Sequence, residues 1–470
     1  MMLRGGILFD LNRPQYVSVP EGFISALAWK LRDTPIPNSG VGPRPKPVGL
    51  MFKVKKSKTS KIQLIETAPK KVELIEFGVQ LEKSGMKNTA GDAGILAQAV
   101  INSLAGVQAE KSANQAASPL SPALALLQNM RGVQRTENPP DLAGILGTLY
   151  RLGSKEAGTI DEVADRWLHA SGRRRDSDPL LAAVDSAVRV SLIDAPLRDR
   201  SAHSEMLAMG PFSSDTPFSW FTSVWNKITS DEWVDALPAR VWVDWATTVL
   251  RLALGHGFLW EAAWYERIAR HVLANEIVSM ETVLDEVSDV VPWKSSLSTT
   301  GVRDVSSQLL WRTHRGAAIR RVLVEWFAGE VRSKYSFEES LKSMSQDASL
   351  RIKLTAALGS RDKVATNTWE AVRYALMIRD DAGPFADYYG LLRSNGRYLT
   401  VDPGTEWLAV VASLSGAGPN KSSTVATLVK SLRELGLNPE LGDLIRLLET
   451  AGLARGSADA DQGVVIQSAF

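Results

Sequence analysis

Apolar residues recur at intervals of three and four over most of this chain, and alternate with polar ones only near its start. The pattern predicts a mainly α protein with a small N-terminal β-containing region, a large helical body and a separate C-terminal unit. In residues 1–85, Gly6-Ile-Leu-Phe-Asp10 and Tyr16-Val-Ser-Val19 read as short strands and Gly22–Arg32 as a helix. A connector rich in proline and glycine, Pro35–Pro47, can be neither helix nor central strand. Leu50–Val54, Lys61–Glu66 and Lys71–Phe77 are predicted as three further strands between turn signals.

Residues 86–140 form a linker-rich helical segment, with helices expected over Gly94–Val107 and Pro119–Met130 and loops over Lys111–Ser118 and Arg131–Pro140. A helical domain follows over 141–395. It begins with Asp141–Tyr150 and Thr159–Ala170, and the polar run Gly172-Arg-Arg-Arg-Asp-Ser-Asp-Pro179 reads as an exposed loop. Half of the fourteen tryptophans fall between Trp220 and Trp264. Thr216-Pro217 marks a helix start, after which Phe218, Phe221, Trp225 and Ile228 share a stripe. Pro238 opens a second helix that Gly255 and Gly257 are expected to end, and Phe258–Asn275 forms a third. Helical spacing assigns these tryptophans to the core of a bundle, with a ligand pocket or partner surface as the alternative. Further helices are expected over Val302–Lys334, Ser336–Ser345, Ala348–Gly359 and Thr366–Arg379.

Residues 396–470 carry the most informative pattern. Tyr398–Val401 is a predicted strand and Glu406–Ser415 an apolar helix. A second helix is capped by Ser422 or Ser423 and stopped by Gly436, and a third runs from Asn438-Pro439 to Ala451. Leu453–Ser457 and Gly463–Gln467 then read as two strands around the polar turn Ala458–Gly463. Over about 404–470 this order, three helices and then a β-hairpin, resembles a winged helix-turn-helix domain, with Leu444-Ile-Arg-Leu-Leu-Glu-Thr-Ala-Gly-Leu453 its most characteristic stretch. The resemblance implies DNA binding through the third helix. Glu440, Asp443, Arg446 and Glu449, the exposed candidates there, repel phosphate more than they attract it, and Asp459 and Asp461 outweigh Arg455 at the wing. Winged helices also dock proteins, and the charge pattern favours that use.

Composition narrows the function classes. The 470 residues suggest about three domains at roughly 150 residues each. With no cysteine, disulfides, thiol catalysis and Cys-ligated metals are excluded. The five histidines, His169, His203, His256, His271 and His314, show no metal-ligand spacing, and no metal or cofactor is expected. No apolar run has the length of a membrane span and the N-terminus lacks a signal-peptide core, so a cytoplasmic protein without membrane contact is expected. A net charge of +2 leaves nucleic-acid contact to local patches. One is the lysine hairpin Lys55, Lys56, Lys58 and Lys61, which also reads as an edge-protecting turn. Another is the helical run with Arg312, Arg315, Arg320 and Arg321; its blander reading is a solvated face paired with Glu325. A third is the second helix of the C-terminal unit with Lys421, Lys430 and Arg433.

No catalytic motif survives inspection. The stretch Trp407–Ser422 imitates a P-loop but puts Ser415 and Asn420 where the phosphate cradle requires glycine. Leu81-Glu82-Lys83 lacks the nuclease spacing, and no Gly-x-Ser-x-Gly elbow is present. The leading expectation is a non-catalytic adaptor or structural subunit of a prokaryotic multiprotein complex with protein partners. Chains of this build often serve DNA-handling or antiviral defence assemblies whose ATPase or nuclease is a separate subunit. A stand-alone DNA-binding winged-helix protein is the second expectation, and an enzyme with a site assembled only in space is the third.

Overall fold

The computed structural model describes residues 3–15, 17, 20–31, 52–57, 60–67, 71–87, 91–108, 114–126, 141–159, 161–191, 206–207, 210–294, 303–360, 365–379, 386–455 and 464–470. The protein is mainly helical with small strand pairs. Pro35–Pro47, Arg131–Pro140, the turn Ala458–Gly463 and all but Val17 of the Tyr16–Val19 strand lie outside the described residues.

The body is organised around one helix, Ala239–Ala274, of 36 residues and about 54 Å at 1.5 Å per residue. Its buried positions run round the full circumference, as expected of a helix enclosed by others. Pro217–Ile228, Ser306–Trp326, Phe337–Gln346, Ala348–Gly359 and Thr366–Leu376 pack against it. The two helices expected on either side of Gly255 and Gly257 are therefore one. These glycines are sites of close approach: a Cβ on Gly255 would meet Leu376 Cδ2 at 2.6 Å, and one on Gly257 would meet Leu149 Cδ2 at 3.0 Å. The helix ends at Asn275, which takes the left-handed conformation at φ 58°.

All seven tryptophans from Trp220 to Trp264 are buried, which places them in the core. Phe9, from the N-terminal hairpin Leu3–Arg4/Leu8–Phe9, enters the same cluster beside Phe212, Trp260, Trp264 and Tyr265. The described residues between Leu3 and Leu31 thus contribute to the core of the helical body. Ion pairs fasten them there: Arg13 to Glu261 through two bonds of 2.5 and 2.7 Å, and Lys30 to Asp141 at 2.9 Å.

Three other expectations are corrected. Lys71–Phe77 is not a strand but the start of helix Lys71–Lys83, because Leu74, Phe77 and Leu81 recur with helical spacing and line a second core with Ala93–Ser103 and Pro179–Ser191. The expected loop Lys111–Ser118 contains strand Asn114–Ala117, which joins Phe52–Ser57 to Ala105–Gln108 in a four-stranded sheet completed by Ser60–Thr67. The expected exposed loop Gly172–Pro179 is mostly helical, since Glu162–Ser177 runs through it. There Arg174 is buried and donates to the carbonyls of Val234 and Leu237, while Arg173 pairs with Asp231 and Asp235. At the carboxyl end of helix Asp231–Ala236, Arg174 thus meets carbonyls that the helix leaves unsatisfied.

Candidate functional site

The C-terminal unit comprises helices Thr405–Ser415, Val425–Glu434 and Leu441–Thr450 and a three-stranded antiparallel sheet. In that sheet Val465–Ile466 lies between Ser423–Thr424 and Ala454–Arg455. The two-residue strand Ser423–Thr424 leaves no periodic trace in the sequence, and the cap of the second helix is Thr424, whose hydroxyl accepts from the Thr427 amide at 3.3 Å. Amphipathic spacing carries the second and third helices: Val425, Leu428 and Leu432 are buried from one, Leu444 and Leu448 from the other.

This unit is seated firmly on the body. Trp220 Nε1 donates to Ser431 Oγ at 2.9 Å, and Lys227 Nζ donates to the carbonyls of Leu414 and Gly416, each at 2.9 Å. Burial pushes the Lys227 ammonium below its ordinary range, with Glu434 pulling the other way. The amides of Val290 and Val291 both donate to the Gly436 carbonyl, at 3.0 and 3.1 Å. Phe470 packs edge-on to Trp245.

The third helix turns a different surface outward. Leu441 is 56% exposed. Ile445 and Leu447 are half-buried, and Glu440, Arg446 and Glu449 are exposed. Asp443, expected to be exposed, is buried and 3.5 Å from Arg446. The face that remains carries Leu441 and Ile445 with two acids, Glu440 and Glu449, and one base, Arg446.

The predicted basic residues are scattered over the molecule. Lys430 and Arg433 lie three apart on the second helix, exposed and without a hydrogen bond or ion pair among the described residues. Lys421 pairs with Glu232 at 3.5 Å. Lys55 and Lys56 belong to strand Phe52–Ser57, and Lys58 lies outside the described residues. Of the arginines on Ser306–Trp326, only Arg321 is exposed. Arg320 donates to the Leu11 carbonyl at 3.2 Å, and Arg315 lies 3.4 Å from Glu266. The predicted partner of this face, Glu325, pairs instead with Lys353 at 3.2 Å.

Arg312 leads to a feature that linear reading missed. It lines a cleft of about 290 Å³ together with Glu266, Arg267 and Arg270 of the central helix, Glu286 at the end of helix Met280–Glu286, and Asp289 of the segment after it. Arg312 Nη1 donates to the carbonyls of Asp289 and Val290. Burial holds the Glu266 carboxyl above its usual range despite four surrounding arginines, and burial also raises Asp289. The available signal was Glu266, Arg267 and Arg270 at helical spacing with Ala263, a charged stripe on an otherwise apolar helix.

Among the described residues no group of three or more histidine, aspartate or glutamate side chains could hold a metal ion. No helix among them is long and apolar enough to cross a membrane. No known protein family, no curated protein and no solved structure matches this chain.

Proposed function

We propose that this chain is a non-catalytic adaptor or structural subunit of a prokaryotic multiprotein assembly, and that it docks a protein partner through its C-terminal unit, read here as winged-helix-like. The observation that carries this reading is the outer face of Leu441–Thr450. An exposed leucine, half-buried Ile445, and two acids, Glu440 and Glu449, against the single base Arg446 suit a protein surface better than a phosphate backbone. The interleaving of Ser423–Thr424 into the sheet, between the first two helices, supports the winged-helix-like reading. A DNA-handling or antiviral defence complex is the setting in which such a subunit would leave the chemistry to its companions.

The test is purification of the tagged protein from its native cell with nuclease treatment, alongside a Leu441→Lys/Glu449→Lys variant. Stoichiometric companions that survive nuclease with the parent, and are lost from a variant with unchanged circular dichroism, are the expected result. A parent protein that emerges alone overturns the reading.

One observation favours a second reading, a stand-alone DNA-binding protein. Lys430 and Arg433 present two exposed cations on one helix face, with Glu434 drawing on Lys430. A salt-dependent gel shift abolished by Lys430→Glu/Arg433→Glu would establish it, and a shift unchanged by those substitutions would remove it.

A further inference from the structure

From the cleft formed by Glu266, Arg267, Arg270, Glu286, Asp289 and Arg312 we infer a binding site for a small phosphate monoester with a hydroxyl-bearing body, such as a sugar phosphate. Three guanidinium groups reach this cleft from two walls: Arg267 and Arg270 from one face of Ala239–Ala274, Arg312 from Ser306–Trp326. A planar carboxylate uses one guanidinium fork, whereas a phosphate dianion offers three terminal oxygens to donors arriving from different directions.

The donors are available. Arg270 makes neither a hydrogen bond nor an ion pair among the described residues. Arg267 stands 3.8 Å from Glu286, beyond hydrogen-bond length, and that carboxylate is already engaged by His271 Nε2 at 3.1 Å. Arg312 spends Nη1 on backbone carbonyls. Burial lowers the Arg312 guanidinium, against opposing pulls from Glu266 and Asp289 and with smaller repulsions from Arg315 and Arg267.

The remaining wall gives the ligand its second half. Glu286 and Asp289 present carboxyl groups and Ser288 a hydroxyl, which suit sugar hydroxyls and would repel a second phosphate. The volume, about 290 Å³, lies at the lower end of small-molecule sites and is too confined for a duplex. This site is separate from the docking face of Leu441–Thr450, so its failure would leave the adaptor reading untouched.

The experiment is thermal unfolding of the full chain at constant ionic strength with ribose 5-phosphate, inorganic phosphate, free ribose or a short DNA duplex. The expected result is a saturable rise in Tm with ribose 5-phosphate, a weaker one with phosphate and none with ribose. Arg267→Ser/Arg270→Ser should weaken the ribose 5-phosphate effect by at least about tenfold, because each substitution removes a charge-assisted hydrogen bond. Both side chains are exposed, so the ligand-free Tm should stay close to the parent's. Arg270→Lys, which keeps the charge and loses the fork, should fall between. The inference is overturned by the absence of a saturable shift, by an equal shift in the serine variant, or by a duplex that saturates at lower phosphate concentration. Inorganic phosphate binding as tightly as ribose 5-phosphate would strike out the hydroxyl-bearing body.

Discussion

Arg251 brings a positive charge into the middle of the protein, where it is 2% exposed, and everything around it is arranged to answer that charge. Its Nη1 donates to both carboxylate oxygens of Asp387, at 3.0 and 2.9 Å; Nε and Nη2 donate to the carbonyls of Ala375 and Met377, at 2.9 and 3.0 Å. The central helix is thereby tied to the end of Thr366–Leu376 and to the segment after it. Removing one partner strands the other without water, so Asp387→Ala should cost about 3–5 kcal/mol in urea unfolding. Replacing both, as Arg251→Met/Asp387→Leu, should recover most of that loss; a double variant as unstable as the sum of the singles would refute the argument.

Two other groups, buried His256 and half-buried Asp244, give stability opposite pH dependences. Burial lowers the His256 imidazole from 6.5 to about 4, against a smaller opposing pull from the Leu435 backbone. The folded value lies below the unfolded one, so its contribution is complete above pH 6.5 and is lost as pH falls through about 4. That amounts to about 3 kcal/mol at 1.36 kcal/mol per unit. Burial raises the Asp244 carboxyl from 3.8 to about 7, partly offset by Arg240 and helped by Glu21. Here the contribution is complete below pH 3.8 and is lost as pH rises through about 7. His256→Leu should therefore flatten the acid-side loss of stability, and Asp244→Asn should make stability at pH 8 exceed the parent's. Urea titrations between pH 4 and pH 8 would read both slopes, and variants whose slopes match the parent's would exclude these assignments.

At the level of helices and strands, glycine misled the sequence reading for a physical reason. Gly255 and Gly257 look like a helix stop because glycine is a poor helix former. In the fold they lie within one helix, where Leu376 and Leu149 leave no comfortable space for a methyl group. Gly255→Ala should destabilise by roughly 1–3 kcal/mol through overpacking, although alanine favours helix. Gly172, inside Glu162–Ser177, faces open space, and Gly172→Ala should stabilise by up to about 1 kcal/mol. Equal signs for the two substitutions in denaturant melts would contradict this account. Legibility followed the same line elsewhere. Helices with a strong apolar stripe and a side-chain cap, such as Pro217–Ile228 behind Thr216 and Phe337–Gln346 behind Ser336, stand where periodicity put them. Asn114–Ala117 and Ser423–Thr424 were invisible because they are strands by virtue of distant partners, with no pattern of their own.

The partition of the chain follows from which residues share a core. Leu3–Leu31, the helices around Ala239–Ala274 and the C-terminal unit contribute to one continuous cluster, from Leu3 to Ile466. A second, smaller cluster collects Phe77, Leu81, Ile101, Leu124, Leu181 and Val188. Linear reading could not reveal this, because it sees composition shifts and turns, while Trp220–Ser431 and Phe9–Trp264 join residues more than two hundred positions apart. The arginine cleft was hidden for the same reason: Arg312 meets Arg267 and Arg270 only after the helices pack. A cluster unfolds as a unit when its members bury one another's surface, and elements that share few contacts open separately. Native-state hydrogen exchange should therefore show Ile24–Lys30, Val249–Val272 and Leu428–Leu432 protected to a common, highest free energy. Lys71–Lys83 and Ala93–Ser103 should exchange through a smaller opening. Truncation after Val401 should then destabilise the remaining body, since it uncovers Trp220, Trp245 and Trp293, instead of releasing an independent module. A truncated chain with the parent's Tm would mean that the C-terminal unit is a separable domain, and the common core would have to be divided there.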